Sequence, residues 1–183
     1  MKKILVGSLV GGLIIFIWQF LSFAALNLHH AAQQYTDKQD VIMSCLEQLP
    51  EGGYFLPNLP KTATKQEQDQ YMKDVEGKPW AMVQYHRSMD MNMGMNMTRG
   101  FVTDVLTVML LCWIILRMRP LSFGRVFMAS LFTGLIVFMN GIYIGHIWYQ
   151  YFDTPIHLLD SIVSWGITGL WLGWWLPRGM ARD

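Results

Sequence analysis

Ile4–Leu26, ILVGSLVGGLIIFIWQFLSFAAL, decides how the rest of the chain is read. It carries no charge and is long enough, at about 1.5 Å per residue, to cross a hydrocarbon core of about 30 Å. It follows Met1-Lys2-Lys3, so a cleavable signal has to be weighed against an anchor. Signal cores run to about 7–15 apolar residues, and this run is longer and contains Trp18 and Gln19. The expectation is an uncleaved first transmembrane helix.

Working outward, the chain holds three more apolar runs. Phe101–Leu116 ends at Arg117, with its helix starting in the methionine-rich stretch before it. A second covers 126–152, and Leu158–Leu176 is stopped by Pro177. The predicted class is membrane α-helical: a four-transmembrane-helix bundle with a small α+β extracytoplasmic cap between helices 1 and 2. The predicted division is helix 1 in 1–28, the cap in 29–98, and helices 2–4 in 99–183, at about 97–117, 125–150 and 157–176. Composition agrees. The chain is 52% hydrophobic and 15% charged, where soluble domains carry roughly 25% charged residues. The eight Trp and seven Tyr suit two membrane interfaces. A net charge of +1 gives no case for a nucleic-acid partner.

Orientation comes from the short connections. Lys2 and Lys3 precede span 1, Arg117, Arg119 and Arg125 separate spans 2 and 3, and Arg178 and Arg182 come after span 4. The connection Gln150–His157 has no Lys or Arg and contains Asp153. The positive-inside rule puts both termini in the cytoplasm. The expected location is a bacterial inner membrane, with the cap in the periplasm.

Within the cap, Thr36 and Gln39 are spaced as a capping box. Val41, Ile42, Cys45, Leu46 and Leu49 then recur at helical spacing, and Pro50 with Gly52-Gly53 ends the helix. Tyr54–Pro57 reads as extended. Thr64 with Glu67 opens a second helix that stops at Gly77, and Trp80–His86 alternates as a strand. The expected order is helix–strand–helix–strand with antiparallel strands. Cys45 and Cys112 are expected at different depths, too far apart to bridge. This argues against the four-helix thiol oxidases, which need cysteine pairs.

Two groups of side chains invite a chemical reading. Met89, Met91, Met93, Met95 and Met97 alternate. On a strand their thioethers would share one face and suit copper(I); as the first turns of span 2 they would scatter, and the flexible methionines would serve as packing. The second group is a layer of His29, His30, His86, His146 and His157 with Asp104 and Asp160, all on the outer side by this topology. Imidazole with carboxylate can hold a metal or relay a proton. Ionisable groups in membrane segments are functional candidates by default. Helix ends are also wet, and there such groups can simply join helices. No nucleophile motif, P-loop or dinucleotide fingerprint is present, and haem lacks a second axial ligand inside the bundle.

Packing faces complete the reading. On span 4, His157, Ser161, Ser164 and Thr168 form one stripe, and Gly166, Gly169 and Gly173 lie opposite. Span 3 has Gly134, Gly141 and Gly145 on one face, and span 1 has Ser8, Gly12, Gln19 and Ser22. Small residues allow close helix approach, and polar ones bond across it. Two such faces on span 4 suggest a homo-oligomer or contact with another membrane subunit.

The stretches GGLIIFIWQFLSFAALNLHH, LPEGGYFLP and GLWLGWWLP resemble a group of small bacterial inner-membrane proteins of unassigned function. The layout is also similar to that of claudins, whose first outer loop is the larger, although their Trp and paired-Cys signature is absent. The resemblance implies architecture and no activity. The leading expectation is a non-enzymatic, lipid-embedded accessory or oligomeric subunit of an envelope complex. The alternatives are a copper-handling or redox-linked protein using the Met run and the His/Asp layer, and a small proton-linked transporter working through Asp104, His146 and Asp160.

Overall fold

The computed structural model describes residues 1–89, 91–118 and 120–178. The chain divides into two compact units, Met1–Gln34 with Asn92–Asp183 and Tyr35–Met91. The first unit is helical. It holds α1 (Lys2–Phe20), and the order continues in the second unit with α2 (Gln39–Leu46), β1 (Gly52–Leu56), α3 (Lys65–Val75) and β2 (Ala81–Tyr85). The first unit resumes with α4 (Met93–Ile115), α5 (Phe123–Phe138), α6 (Ile144–Trp148) and α7 (Thr154–Trp175). Three helical stretches, Lys2–Ala25, Met93–Ile115 and Phe123–Trp148, are long and apolar enough to cross a membrane. Helix α7 matches them in length, at 22 residues, but His157, Asp160, Ser161 and Ser164 make it less apolar.

The helices of the first unit pack antiparallel through small residues. Along α1 and α4, Gly12 faces Val105, Gly11 faces Val108 and Gly7 faces Cys112. A methyl group at Gly12 would lie 2.7 Å from the Val105 backbone, so the main chains of these two helices approach each other directly. On its other side α1 meets α7. The indoles of Trp171 and Trp175 donate to the Gly7 and Lys3 carbonyls at 3.3 and 3.0 Å, and the Lys3 ammonium donates to the carbonyls of Leu176, at 2.9 Å, and Arg178. That lysine satisfies carbonyls that α7 leaves free at its C-terminus. Helix α5 packs on α7 through Gly134 against Trp165, Gly169 against Phe127 and Ser130, and Gly173 against Phe123. Val108, Cys112, Ile115, Val126, Leu172 and Leu176 are fully enclosed between these faces.

Both faces of α7 are therefore used inside the chain, Thr168 toward α1 and Gly169 and Gly173 toward α5. The spare face inferred from the sequence shrinks to Gly166 on α7 and Gly141 near α5, where no atom lies within 4 Å of an added methyl. Gly145 instead seats the Tyr151 ring. On the outside, α1 exposes Leu5, Leu9, Leu13 and Ile17 as a continuous apolar stripe. In Phe123–Trp148 only 17% of the apolar window is buried. Apolar surface on this scale needs a non-aqueous surrounding or a partner.

In the second unit β1 and β2 pair antiparallel, with Tyr54 opposite Val83 and Phe55 opposite Met82. Thr64 caps α3 through the reciprocal box with Glu67. Hydrogen bonds from the Thr64 backbone and hydroxyl hold the Glu67 carboxyl below its ordinary value. Gly77 takes φ +72°, the left-handed conformation that ends a helix at low cost. The box at Thr36 does not form. Its hydroxyl accepts from Lys38 N–H in a local turn, and α2 starts after Lys38 without a side-chain cap. Such a turn competes with capping because a Thr hydroxyl reaches the amide two residues on as easily. The second membrane-length helix starts at Met93, four residues before the predicted 97, because Asn92 caps it by accepting from Met95 N–H.

Packing makes opposite demands on two glycines of α1 and α7. Gly12→Ala forces the Val105 backbone to move and is expected to cost about 1–3 kcal/mol. Gly166→Ala meets open space and is expected to be neutral or to stabilise by up to about 1 kcal/mol. Unfolding of the detergent-solubilised variants by heat or SDS measures both.

Candidate functional site

The chain leaves α1 through a π-helical turn, Leu21–Ala25, and reverses at Asn27, whose φ is +48°. A short 3-10 turn, Leu28–Ala32, then carries His29 into the protein. The π turn inserts an extra residue and re-aims the chain beyond it, a device common at functional sites. Here it brings Ser22 and Phe23 to the same place as His29. The other wall comes from the start of α7. Asp153 precedes that helix, Pro155 sits in its first turn, and His157 and Asp160 lie one and two turns further on. Asp153, His157 and Asp160 are spaced i, i+4 and i+7, one face of a helix.

His29 is 1% exposed, and each of its ring nitrogens faces a carboxylate. Nδ1 lies 2.7 Å from Asp153 Oδ2, and Nε2 lies 2.9 Å from Asp160 Oδ2. The second oxygen of Asp160 accepts from the Trp18 indole at 3.0 Å and from the Ser22 hydroxyl at 2.8 Å. His157 Nε2 lies 3.3 Å from Asp153 Oδ2. Phe23 stacks on His29 with centroids 3.7 Å apart and planes 6° apart. A neutral imidazole has one N–H donor and one acceptor nitrogen, while an ionised carboxylate only accepts. An imidazole with a carboxylate at both nitrogens therefore needs a second cation-like partner, supplied by an added proton or by a metal ion.

Two further polar contacts lie at this end of the helical unit. Asp104 on α4 is buried; its Oδ1 accepts from Gln19 at 3.2 Å, and its Oδ2 has no hydrogen-bond partner among the described residues. Trp18 and Gln19 thus reach from consecutive positions of α1 to Asp160 and Asp104 on two different helices. His146 Nδ1 accepts from Tyr151 N–H at 3.0 Å and lies 2.8 Å from the Thr154 hydroxyl, which pins the α6–α7 connection.

Of the residues singled out from sequence, the structure brings together His29, His157 and Asp160. Asp104 and His146 belong to separate small contacts. His30 is exposed, and among the described residues its Nδ1 meets the Asn27 carbonyl. His86 lies in the other unit, exposed, 2.9 Å from Glu51. Met89, Met91, Met93, Met95 and Met97 are all exposed. Of the two arrangements the sequence left open, the structure has the helical one: Met93, Met95 and Met97 lie in the first turns of α4, where residues two apart point about 200° apart. That geometry does not gather thioethers for copper.

Sequence reasoning missed Asp153, Trp18 and Phe23 as members of the site. The spacing of Asp153, His157 and Asp160 was the available signal. Nothing in the sequence marks the π turn that delivers Phe23 and Ser22. Comparison with protein families, with curated proteins and with solved structures finds no match.

The cluster also holds the fold together. Replacing His29 by Leu leaves two largely buried carboxylates facing each other, and loss of one partner in such a pair costs about 3–5 kcal/mol. Trp18→Phe removes one donor to Asp160 and is expected to cost about 1–3 kcal/mol. Thermal unfolding in detergent should rank His29→Leu below Trp18→Phe, and both below the unaltered chain.

Proposed function

We propose that this chain is a non-enzymatic membrane subunit with four spans, α7 being the fourth. It holds the 35–91 unit on the extracytoplasmic face of a bacterial inner membrane and joins a second copy or another membrane subunit. The observation that carries the reading is the segregation of charge along the helical unit. Lys2, Lys3, Arg117, Arg125 and Arg178 lie at one end; the His29–Asp153–Asp160 cluster with His146 lies at the other, where Arg99 near the start of α4 is the one cation among the described residues of this unit. Arg119 and Arg182, which the orientation argument also used, lie outside the described residues. Cationic residues mark the cytoplasmic side. Trp18, Gln19, Ser22 and His29 bond from the α1 segment to α4 and to the start of α7, which suits a scaffold. Gly141 and Gly166 remain open to a neighbour.

The two cysteines supply a direct test of the topology. Cys45 is exposed in the 35–91 unit and Cys112 is buried in α4. A membrane-impermeant maleimide applied to intact spheroplasts should label Cys45 and spare Cys112. Labelling of Cys45 only after lysis reverses the topology.

Association is read separately, by native mass spectrometry from mild detergent. The expected species is a homo-oligomer or a complex with another membrane protein, weakened by Gly166→Phe. A monomer with lipid alone removes the subunit reading.

A further inference from the structure

We propose that His29, His157 and Asp160 form a binding site for one divalent first-row transition-metal ion of the zinc class. Each offers a ligand atom, and the three atoms lie within 4.8 Å of one another. Two imidazoles with one carboxylate favour zinc, cobalt or nickel over the oxygen-seeking calcium and magnesium. Ligands bound at about 2.0–2.1 Å in a tetrahedron lie about 3.3 Å apart. His29 Nε2 and Asp160 Oδ2 are 2.9 Å apart, so an ion between these two needs them to part by a few tenths of an ångström, while His157, within 4.8 Å, closes in on it by up to about 1.5 Å.

The surroundings of the three residues separate a metal site from a casual cluster. Metal-bound imidazoles usually donate their other N–H to a carboxylate, which fixes tautomer and ring direction. Asp153 Oδ2, 2.7 Å from His29 Nδ1, stands in that place. It turns Nε2 toward Asp160 as the free ligand atom. Asp160 is fixed in the same way. Trp18 and Ser22 both donate to Oδ1, leaving Oδ2 toward His29. Phe23 covers one face of the His29 ring. His157 is the most accessible of the three, with a side chain 24% exposed, and gives the ion its way in. A metal in this position supplies positive charge between His29 and Asp160, beside a second carboxylate at Asp153. Three protein ligands leave a fourth position for water.

The test uses the full-length chain in detergent, stripped with chelator, titrated with zinc by calorimetry and with cobalt by visible absorption. One equivalent should bind, with the intense ligand-field bands of low-coordinate cobalt. His157→Gln, chosen because that side chain is the most exposed of the three, should weaken binding at least tenfold. Asp153→Asn should weaken it about 10–100-fold by loosening His29. His86→Gln, in the other unit, should leave it unchanged. Bound zinc should raise the unfolding temperature of the unaltered chain and not that of His157→Gln. A folded, unaltered chain that takes up no zinc or cobalt overturns the proposal, as does binding that survives His157→Gln or is lost in His86→Gln. The experiment does not depend on the number of spans or on association, so it can fail while the topology stands.

Discussion

A buried imidazole held between two carboxylates is the constraint on which this end of the molecule depends. Charge in an apolar setting is costly, and it is tolerated only where partners meet at good geometry. His29 meets Asp153 and Asp160 at 2.7 and 2.9 Å. To do so the chain must leave α1 by a π turn, take a left-handed residue at Asn27 and turn back within a few positions. Such backbone persists only where its surroundings over-determine it. Trp18, Ser22 and Phe23, arriving from the same segment, supply that over-determination.

The rest of the helical unit is built around α1. One of its sides offers Gly7, Gly11 and Gly12 to α4, and another meets α7 through indole-to-carbonyl hydrogen bonds. In an apolar surrounding there is little hydrophobic drive to bring helices together, so close approach and hydrogen bonds must do it. This explains why glycines and tryptophans, not large aliphatic side chains, sit at the closest contacts. It also explains why the two ends differ. At the Lys3 end a single ammonium closes the last carbonyls of α7, and at the His29 end a network of side chains closes the connection before it.

The apolar helices were legible from composition, because a run of uncharged residues of membrane length has few other uses. The second strand was legible from alternation, and the Thr64 cap from its partner three residues on. The Thr36 box failed although its spacing was the same. A hydroxyl near a helix start can bond a nearby turn amide instead, and residue spacing does not separate the two outcomes. The methionine alternation left strand and helix start both open for a related reason. Period two is a strand signal only where the backbone is extended, and Asn92 starts a helix there. Histidine and aspartate were visible as a layer, yet layer membership did not separate the cluster from His30 or His86.

Composition and local spacing were enough to mark the three membrane-length apolar helices and the short connections that carry arginine or histidine. These are local properties of consecutive residues. Only the tertiary structure decided which polar residues meet. His29 stands 124 and 131 residues from its two partners. Their meeting requires α1 and α7 to lie antiparallel in a particular register, and a π turn to rotate His29 into it. Long-range register is set by the sum of many packing contacts, and no short stretch of sequence contains it.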